Sequence, residues 1–180
     1  MPRAARTLGT LWEEDLCDFA EVTIGLCRLH EVLRDQSRLS EPLRMHAAND
    51  APQILFGTAC GDQHIFGVLV AAECFRRDGW RVWSEPATAP EDLAELVAKV
   101  AFDVVALSVT CGSYKERLVG EIAVLRRSSC EPDVKVVIGG RLFAEQPELG
   151  EALGADAFLG DVETAPREAR KLLAEARVDC

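Results

Sequence analysis

From residue 53 onward, short apolar runs alternate with segments of helical periodicity, and this alternation restricts the fold more than any other feature. The apolar runs, each typical of a buried strand, are QILFGTAC, WRVWSE, DVVALSVTC, VKVVIGG and ADAFLG. Helices are predicted between and after them, over residues 65–77, 90–100, 114–129, 145–154 and 163–177. Strands joined by helical crossovers predict a parallel sheet covered on both faces, in a flavodoxin-like (Rossmann-like) α/β fold with strand order 2-1-3-4-5.

A different pattern precedes this region. The large apolar residues that recur every seven positions near the start are Trp12, Phe19, Leu26 and Leu33. They predict one long helix over residues 11–38, with Thr10 and Glu13 at the spacing of a capping box. The polar, proline-containing stretch SRLSEPLRMHAANDAPQ then predicts a linker. The sequence is therefore expected to divide into an N-terminal helix and linker, 1–50, and an α/β domain, 51–180.

The charge and the hydropathy pattern exclude some functions. The 180 residues carry a formal net charge of −10, which repels phosphate backbones, so we expect no direct nucleic-acid binding. We find no apolar run long enough to span a bilayer, and MPRAARTLGTLWEED lacks the apolar core of a secretory signal, so we expect no membrane association and a cytoplasmic location.

The cysteines also limit the possible classes. Their number is seven and no C-x-x-C pair occurs, which argues against a secreted disulfide framework and a standard zinc ribbon. Cys60 and Cys111 are both predicted at the carboxyl edge of the sheet. They could form a redox pair beside a ligand or could be two small buried residues.

The loop after the first strand holds the residues most suited to metal chemistry. Ligands of such sheets bind outside the carboxyl ends of the strands, where strands 1 and 3 meet, and Gly61-Asp62-Gln63-His64 lies there. Asp62 can orient one imidazole nitrogen of His64 and leave the other free for a metal. Gly67 allows backbone and ligand to approach closely. A catalytic or purely structural histidine is the alternative interpretation.

Strands 3 and 4 also end in small or hydroxyl residues. Ser108 and Thr110 can line a slot beside the loop, or they can be turn residues that cap the next helix. Gly139 and Gly140 remove side chains where a planar group could lie against the sheet, although a tight turn would use the same residues.

The residues at the ends of strands 1, 3 and 4 form the patterns DxHxxG, SxT and GG, in that order along the chain. Over residues 53–177 the chain resembles the cobalamin-binding domain family, whose pattern is DxHxxG…SxL…GG. The resemblance implies that His64 is the lower axial ligand of the cobalt, replacing the dimethylbenzimidazole base, and that Asp62 orients it. It places Gly61, Gln63, Ile65 and Gly67 in the same cofactor-binding loop.

The resemblance also implies a slot for the displaced nucleotide tail. Ser108 and Thr110 would line this slot, and Gly139 and Gly140 would make room for the tail. This chain departs from the family at three positions: Thr110 replaces leucine, Gly112 stands where many members have a hydroxyl, and Arg141 follows the glycines where a small residue is usual. Arg141 could meet the tail phosphate or could form an exposed salt bridge.

The segment WEEDLCDFAEVTIGLCRLHEVLR ahead of GDQHIFG resembles AerR/PpaA-type regulators and the haem- or cobalamin-sensing domain of AppA-type photoreceptors. This resemblance implies a non-enzymatic antirepressor that responds to light or oxygen and acts on a PpsR/CrtJ-type repressor of photosynthesis and tetrapyrrole genes. A corrinoid carrier subunit of a methyltransferase or mutase, and a haem sensor on the same fold, are the alternatives. His30 and His46 could bind haem or cap a corrin, or could be ordinary polar residues.

Overall fold

The computed structural model describes residues 2–39, 50–59, 62, 65–85, 89–109, 115–140 and 153–176. The chain divides into two compact units, Met1–His46 and Ala47–Cys180. None of the helices in these ranges is long and apolar enough to cross a membrane.

The N-terminal unit contains two helices, α1 (Pro2–Glu13) and α2 (Phe19–Leu39), so the prediction of one helix over 11–38 was wrong. Asp18 caps the second helix, because its carboxylate accepts a hydrogen bond from the Glu21 N–H at 2.8 Å. The Glu21 carboxylate in turn accepts one from the Asp18 N–H at 2.9 Å. This reciprocal capping box starts a new helix where the heptad pattern predicted continuity. The predicted box at Thr10 and Glu13 instead lies in the last turn of α1.

The two helices pack closely on each other. A Cβ atom placed on Gly25 would lie 2.8 Å from a Leu8 methyl carbon, so the glycine allows α1 and α2 to approach closely. The break between the helices also divides the heptad stripe. Leu33 is buried, whereas Trp12 and Phe19, which flank the turn, are 54% and 74% exposed.

The second unit has the predicted α/β architecture. Its strands are β1 (Gln53–Thr58), β2 (Arg81–Glu85), β3 (Val104–Ser108), β4 (Lys135–Gly139) and β5 (Ala157–Leu159). Its helices, within the described ranges, are α3 (Phe66–Arg77), α4 (Pro90–Lys99), α5 (Lys115–Ser128) and α6 (Ala165–Ala176). Each lies inside a predicted segment. The helix predicted over 145–154 falls mostly on residues outside the described ranges.

All neighbouring strands are parallel, and their order is β2-β1-β3-β4-β5, as predicted. Alternate residues of each strand enter two separate apolar cores. One core joins the sheet to α4 and α5 and contains Leu55, Leu107 and Ile138. The other joins it to α3 and α6 and contains Phe56, Ala106 and Val137. The sheet is therefore covered on both faces. A ligand can approach it at the amino ends or at the carboxyl ends of its strands, which are called the amino edge and the carboxyl edge below.

Candidate functional site

Three small or hydroxyl residues form a row at the carboxyl edge of the sheet. Thr58 ends β1 and pairs with Ser108 at the end of β3, and Ser108 pairs with Gly139 at the end of β4. Because side chains alternate along a strand, Thr58 lies on the same face as Phe56, two residues earlier. That is the face covered by α3 and α6. The structure thus brings the predicted site residues Ser108 and Gly139 together in one row.

The two faces of the sheet differ at this edge. On the α4/α5 face, Ala59, Leu107 and Val109 are all buried in apolar packing. A Cβ atom on Gly57 would lie 2.7 Å from a Leu93 methyl carbon, so the described residues pack closely there. On the α3/α6 face, Ser108 and Gly139 are only partly buried. The partly exposed residues of this row therefore lie on the α3/α6 face.

Thr58 is a residue that the sequence analysis missed. It is fully buried, and its hydroxyl has no hydrogen-bond partner in the part of the chain that the structure describes. A buried hydroxyl without a partner destabilises a protein by about 1–3 kcal/mol. The sequence feature that could have pointed to Thr58 is a hydroxyl residue at the last position of an apolar strand, next to the predicted ligand loop.

The loop that follows β1 begins with a tight turn. The Asp62 N–H donates to the Ala59 carbonyl at 3.0 Å, and Asp62 is buried, with only 3% of its surface exposed. A carboxylate in such a position needs a polar partner. Gly61, Gln63 and His64 lie outside the described residues, so the contact between Asp62 and His64 stays a prediction.

Helix α3 begins just beyond this loop. Ile65 is its N-cap residue and its side chain offers no capping hydrogen bond. Gly67, in the first turn, is exposed, and a Cβ atom placed on it would have no described atom within 4 Å. Packing therefore does not require a glycine at this position, which leaves the space beside the first turn open.

The two glycines at the end of β4, Gly139 and Gly140, are constrained by neighbouring backbone. Gly140 has a φ of 117°, and a Cβ atom on it would lie 2.1 Å from the Val109 carbonyl oxygen. The backbone just after β3 therefore requires a glycine there with or without a ligand. At Gly139 the corresponding distance is 3.2 Å, to the Leu159 carbonyl oxygen. The predicted tail residues Thr110, Gly112 and Arg141 lie outside the described residues.

The two cysteines predicted at this edge, Cys60 and Cys111, also lie outside the described residues. Cys74 of α3 is a free thiol that is partly buried. Burial raises its pKa above the ordinary value of 9.0, while the nearby Arg77 acts in the opposite direction. This thiol is therefore less reactive than an exposed one.

Comparison with known proteins identifies relatives of the whole arrangement. Residues 52–170 match the B12 binding domain family. The chain is 32% identical, over 90% of its length and 83% of the relative's, to an uncharacterized 20.5 kDa protein in the bchF-crtJ intergenic region of Rhodobacter capsulatus.

Two solved structures are similar in fold. The monomethylamine corrinoid protein of Methanosarcina barkeri has a TM-score of 0.73 and 17% identity, with 93% of this chain and 78% of that one covered. A cobalamin-binding protein of Desulfitobacterium hafniense has a TM-score of 0.62 and 18% identity, with 86% and 79% covered. At these identities the likeness concerns the fold.

Proposed function

Because this chain belongs to the B12-binding domain family, we propose that it is a non-enzymatic, cobalamin-binding regulator of gene expression. In this proposal it acts in the cytoplasm by binding a PpsR/CrtJ-type transcriptional repressor. It thereby controls photosynthesis and tetrapyrrole genes in response to light or redox state. The observation that carries the regulatory part is the relative named for the bchF-crtJ intergenic region, since CrtJ-type proteins are the repressors that the sequence resemblance implied.

The described part of the site fits a corrinoid with an inserted nucleotide tail. Thr58 offers a buried hydroxyl without a described partner, and the partly exposed Ser108 and Gly139 lie in the same row on the α3/α6 face. Gly67 leaves open space at the start of α3. A bound cobalamin would supply a cobalt ion whose coordination can change with light or redox state. The residues of this chain would have to hold that ion and report its state.

Holding the cobalt is the role we assign to His64. One imidazole nitrogen would ligate the metal, and Asp62 would accept a hydrogen bond from the other, which fixes the tautomer and raises the basicity of the ligand. Gly61, Gln63 and Ile65 complete the proposed loop. Ser108, Thr110, Gly112, Gly139, Gly140 and Arg141 are the proposed tail-binding residues.

A protein partner suits the surface of this chain better than DNA does. The net charge of −10 repels a phosphate backbone. The turn between α1 and α2 exposes three large apolar side chains, Trp12, Leu16 and Phe19, with 54%, 66% and 74% of their surface accessible. Neighbouring exposed apolar side chains are typical of surfaces that contact other proteins.

The cofactor part is tested by His64→Ala. We expect the absorption spectrum of bound cobalamin to change from histidine-ligated to base-on or five-coordinate, and the affinity to fall. The matched controls are His30→Ala and His46→Ala, the other two histidines of the chain, which should leave the spectrum unchanged. An unchanged spectrum and affinity in His64→Ala would refute the assignment. Titration with haem in parallel tests the haem alternative, which predicts a His64-dependent Soret band and no cobalamin binding.

The regulatory part is tested by mixing the cofactor-loaded chain with a purified PpsR/CrtJ-type repressor, in the dark and after illumination, and under oxidising and reducing conditions. We expect a complex whose affinity depends on one of these conditions, and no sequence-specific binding of the isolated chain to promoter DNA at physiological salt. Tight promoter binding by the chain alone, or no complex in any condition, would contradict the proposal.

A corrinoid carrier is the second candidate, because the fold is similar to that of a monomethylamine corrinoid protein. A carrier passes a methyl group or radical to a separate catalytic protein. It would therefore bind cobalamin through His64 and still fail to form the repressor complex, so the two experiments together separate the candidates.

A further inference from the structure

Helix α2 of the N-terminal unit is apolar on two sides. One side holds Val22 and Leu33, the only described side chains of this unit that are buried. The other side, over about the first two and a half turns, carries five exposed residues without charge, which we call the α2 patch: Phe19, Ala20, Thr23, Ile24 and Cys27. The Thr23 hydroxyl donates to the Phe19 carbonyl of the same helix at 2.7 Å, so it needs no partner outside the helix.

The N-terminal unit has a small apolar core of its own. Two helices that bury two described side chains gain little stability from their mutual contact, and units of this size usually need an added apolar surface. A helix that is apolar on two sides is typical of a bundle of more than two helices. We therefore expect another apolar surface to cover the α2 patch.

The charges on either side of the α2 patch indicate what that surface is. Residues 13–21 hold five acidic residues and no basic one. Residues 28–38 hold three arginines and two acidic residues, and Arg28 and Arg34 are exposed. Two antiparallel copies of α2 would bring the acidic end of each against the arginine-bearing end of the other. The contact between these ends would be the uncharged patch, where two chains of net charge −10 repel each other least.

We propose that the α2 patch is the interface with a second copy of this chain. The two α2 helices run antiparallel about a two-fold axis near Thr23, so the same patch contacts itself. This arrangement places Arg28 of each copy near the acidic turn that precedes α2 in the other. Together with α1, the two copies form a four-helix bundle. The inference goes beyond the proposed function, because it concerns the N-terminal unit and requires no cofactor.

The test is the molar mass of the full chain in solution, measured by sedimentation equilibrium over a range of concentrations, with and without cobalamin. We expect twice the mass of one chain at high concentration. Ile24→Glu should raise the dissociation constant of the pair at least about a hundredfold, because the two-fold axis brings two carboxylates into one apolar contact. Arg28→Glu should raise it about tenfold, since the new carboxylate would face the acidic turn of the other copy.

Val32→Glu is the matched control. Val32 is also a β-branched, exposed residue of α2, but it points away from the α2 patch, so its replacement should leave the mass unchanged. All three variants should keep the far-UV circular dichroism spectrum and the cobalamin affinity of the wild type, which shows that a lower mass does not result from unfolding.

Three results would overturn the inference. The first is a wild-type chain that is monomeric at every concentration. The second is an equal effect of Ile24→Glu and Val32→Glu on the mass. The third is an Ile24→Glu variant that loses cobalamin or repressor binding without a change in mass, since the patch would then contact that ligand or partner. An unchanged mass in Arg28→Glu would overturn the antiparallel orientation. A dimeric chain that binds no cobalamin would overturn the proposed function and leave this inference standing.

Discussion

Replacing Gly67 by alanine separates the needs of the fold from those of a ligand. Gly67 lies in the first turn of α3, and a Cβ atom there has no described neighbour within 4 Å. Alanine is favoured over glycine in a helix by about 0.5–1 kcal/mol, mainly because glycine loses more backbone entropy on folding. With no steric cost to set against this gain, we expect Gly67→Ala to stabilise the cofactor-free protein by about that amount.

The corresponding assay is urea unfolding followed by far-UV circular dichroism. For a denaturant dependence of about 2 kcal/mol per M, the midpoint should rise by about 0.25–0.5 M. Cobalamin affinity should move in the opposite direction. A methyl group placed where backbone and ligand approach closely acts like an overpacked core and costs about 1–3 kcal/mol, or roughly a ten- to hundredfold loss of affinity.

Gly120→Ala is the matched control, since Gly120 lies within α5, is exposed and would likewise have no described atom within 4 Å of an added Cβ atom. It should raise the urea midpoint without any change in cobalamin affinity. A lower midpoint for Gly67→Ala would mean that protein atoms fill the space beside α3. Equal cobalamin affinities of the two variants would mean that the glycine does not serve a ligand.

Three further predictions concern backbone sterics, thiol reactivity and the pH dependence of stability. Gly140→Ala should destabilise the fold by about 3 kcal/mol or more, measured by thermal unfolding. The new methyl group would lie 2.1 Å from the Val109 carbonyl oxygen, and the φ of 117° disfavours any side chain. A loss below about 1 kcal/mol would refute the steric argument. Cys74 should be alkylated more slowly at pH 8 than the exposed Cys130, because burial raises its pKa above 9.0, and equal rates measured by mass spectrometry would contradict this. Because the folded state disfavours the Cys74 thiolate, its contribution to stability should be present below pH 9.0 and be lost as the pH rises through the raised pKa.

The sequence predicted the α/β domain well because its strands are short, apolar and separated by clear helical segments. Every described strand and helix from β1 to α6 lies inside a predicted segment, and the strand order is the expected one. The N-terminal prediction failed for a local reason. The heptad spacing continues across residues 14–18, but Asp18 and Glu21 cap a new helix there. A period of seven describes which residues are apolar and does not show whether the backbone between them is helical.

The site shows a similar limit. The motifs SxT and GG pointed to Ser108 and Gly139 as site residues, and the sheet brings these two residues together as Cα partners. Thr58 could not be found from a motif, because its significance depends on the register between β1 and β3 and on the lack of a described hydrogen-bond partner. Gly140 had the opposite problem. A motif suggested a ligand, while the close approach of Val109 explains the glycine by itself.

The amino edge of the sheet is held together by carboxylates that accept hydrogen bonds from neighbouring elements. At the amino edge, the Asp103 carboxylate accepts from the Gln53 N–H at 2.7 Å. There too the Asp156 carboxylate accepts from the Val136 N–H and from Arg126, both at 2.6 Å. These contacts tie adjacent strands and α5 together without a ligand. At the carboxyl edge, Thr58 keeps a hydroxyl without a described partner and Gly67 leaves space unfilled. Gln53 Oε1 at the amino edge is also buried without a described partner, so an unpartnered buried atom does not by itself locate a ligand. The carboxyl edge is favoured because Gly67 leaves space there and because ligands of parallel α/β sheets bind outside the carboxyl ends of the strands.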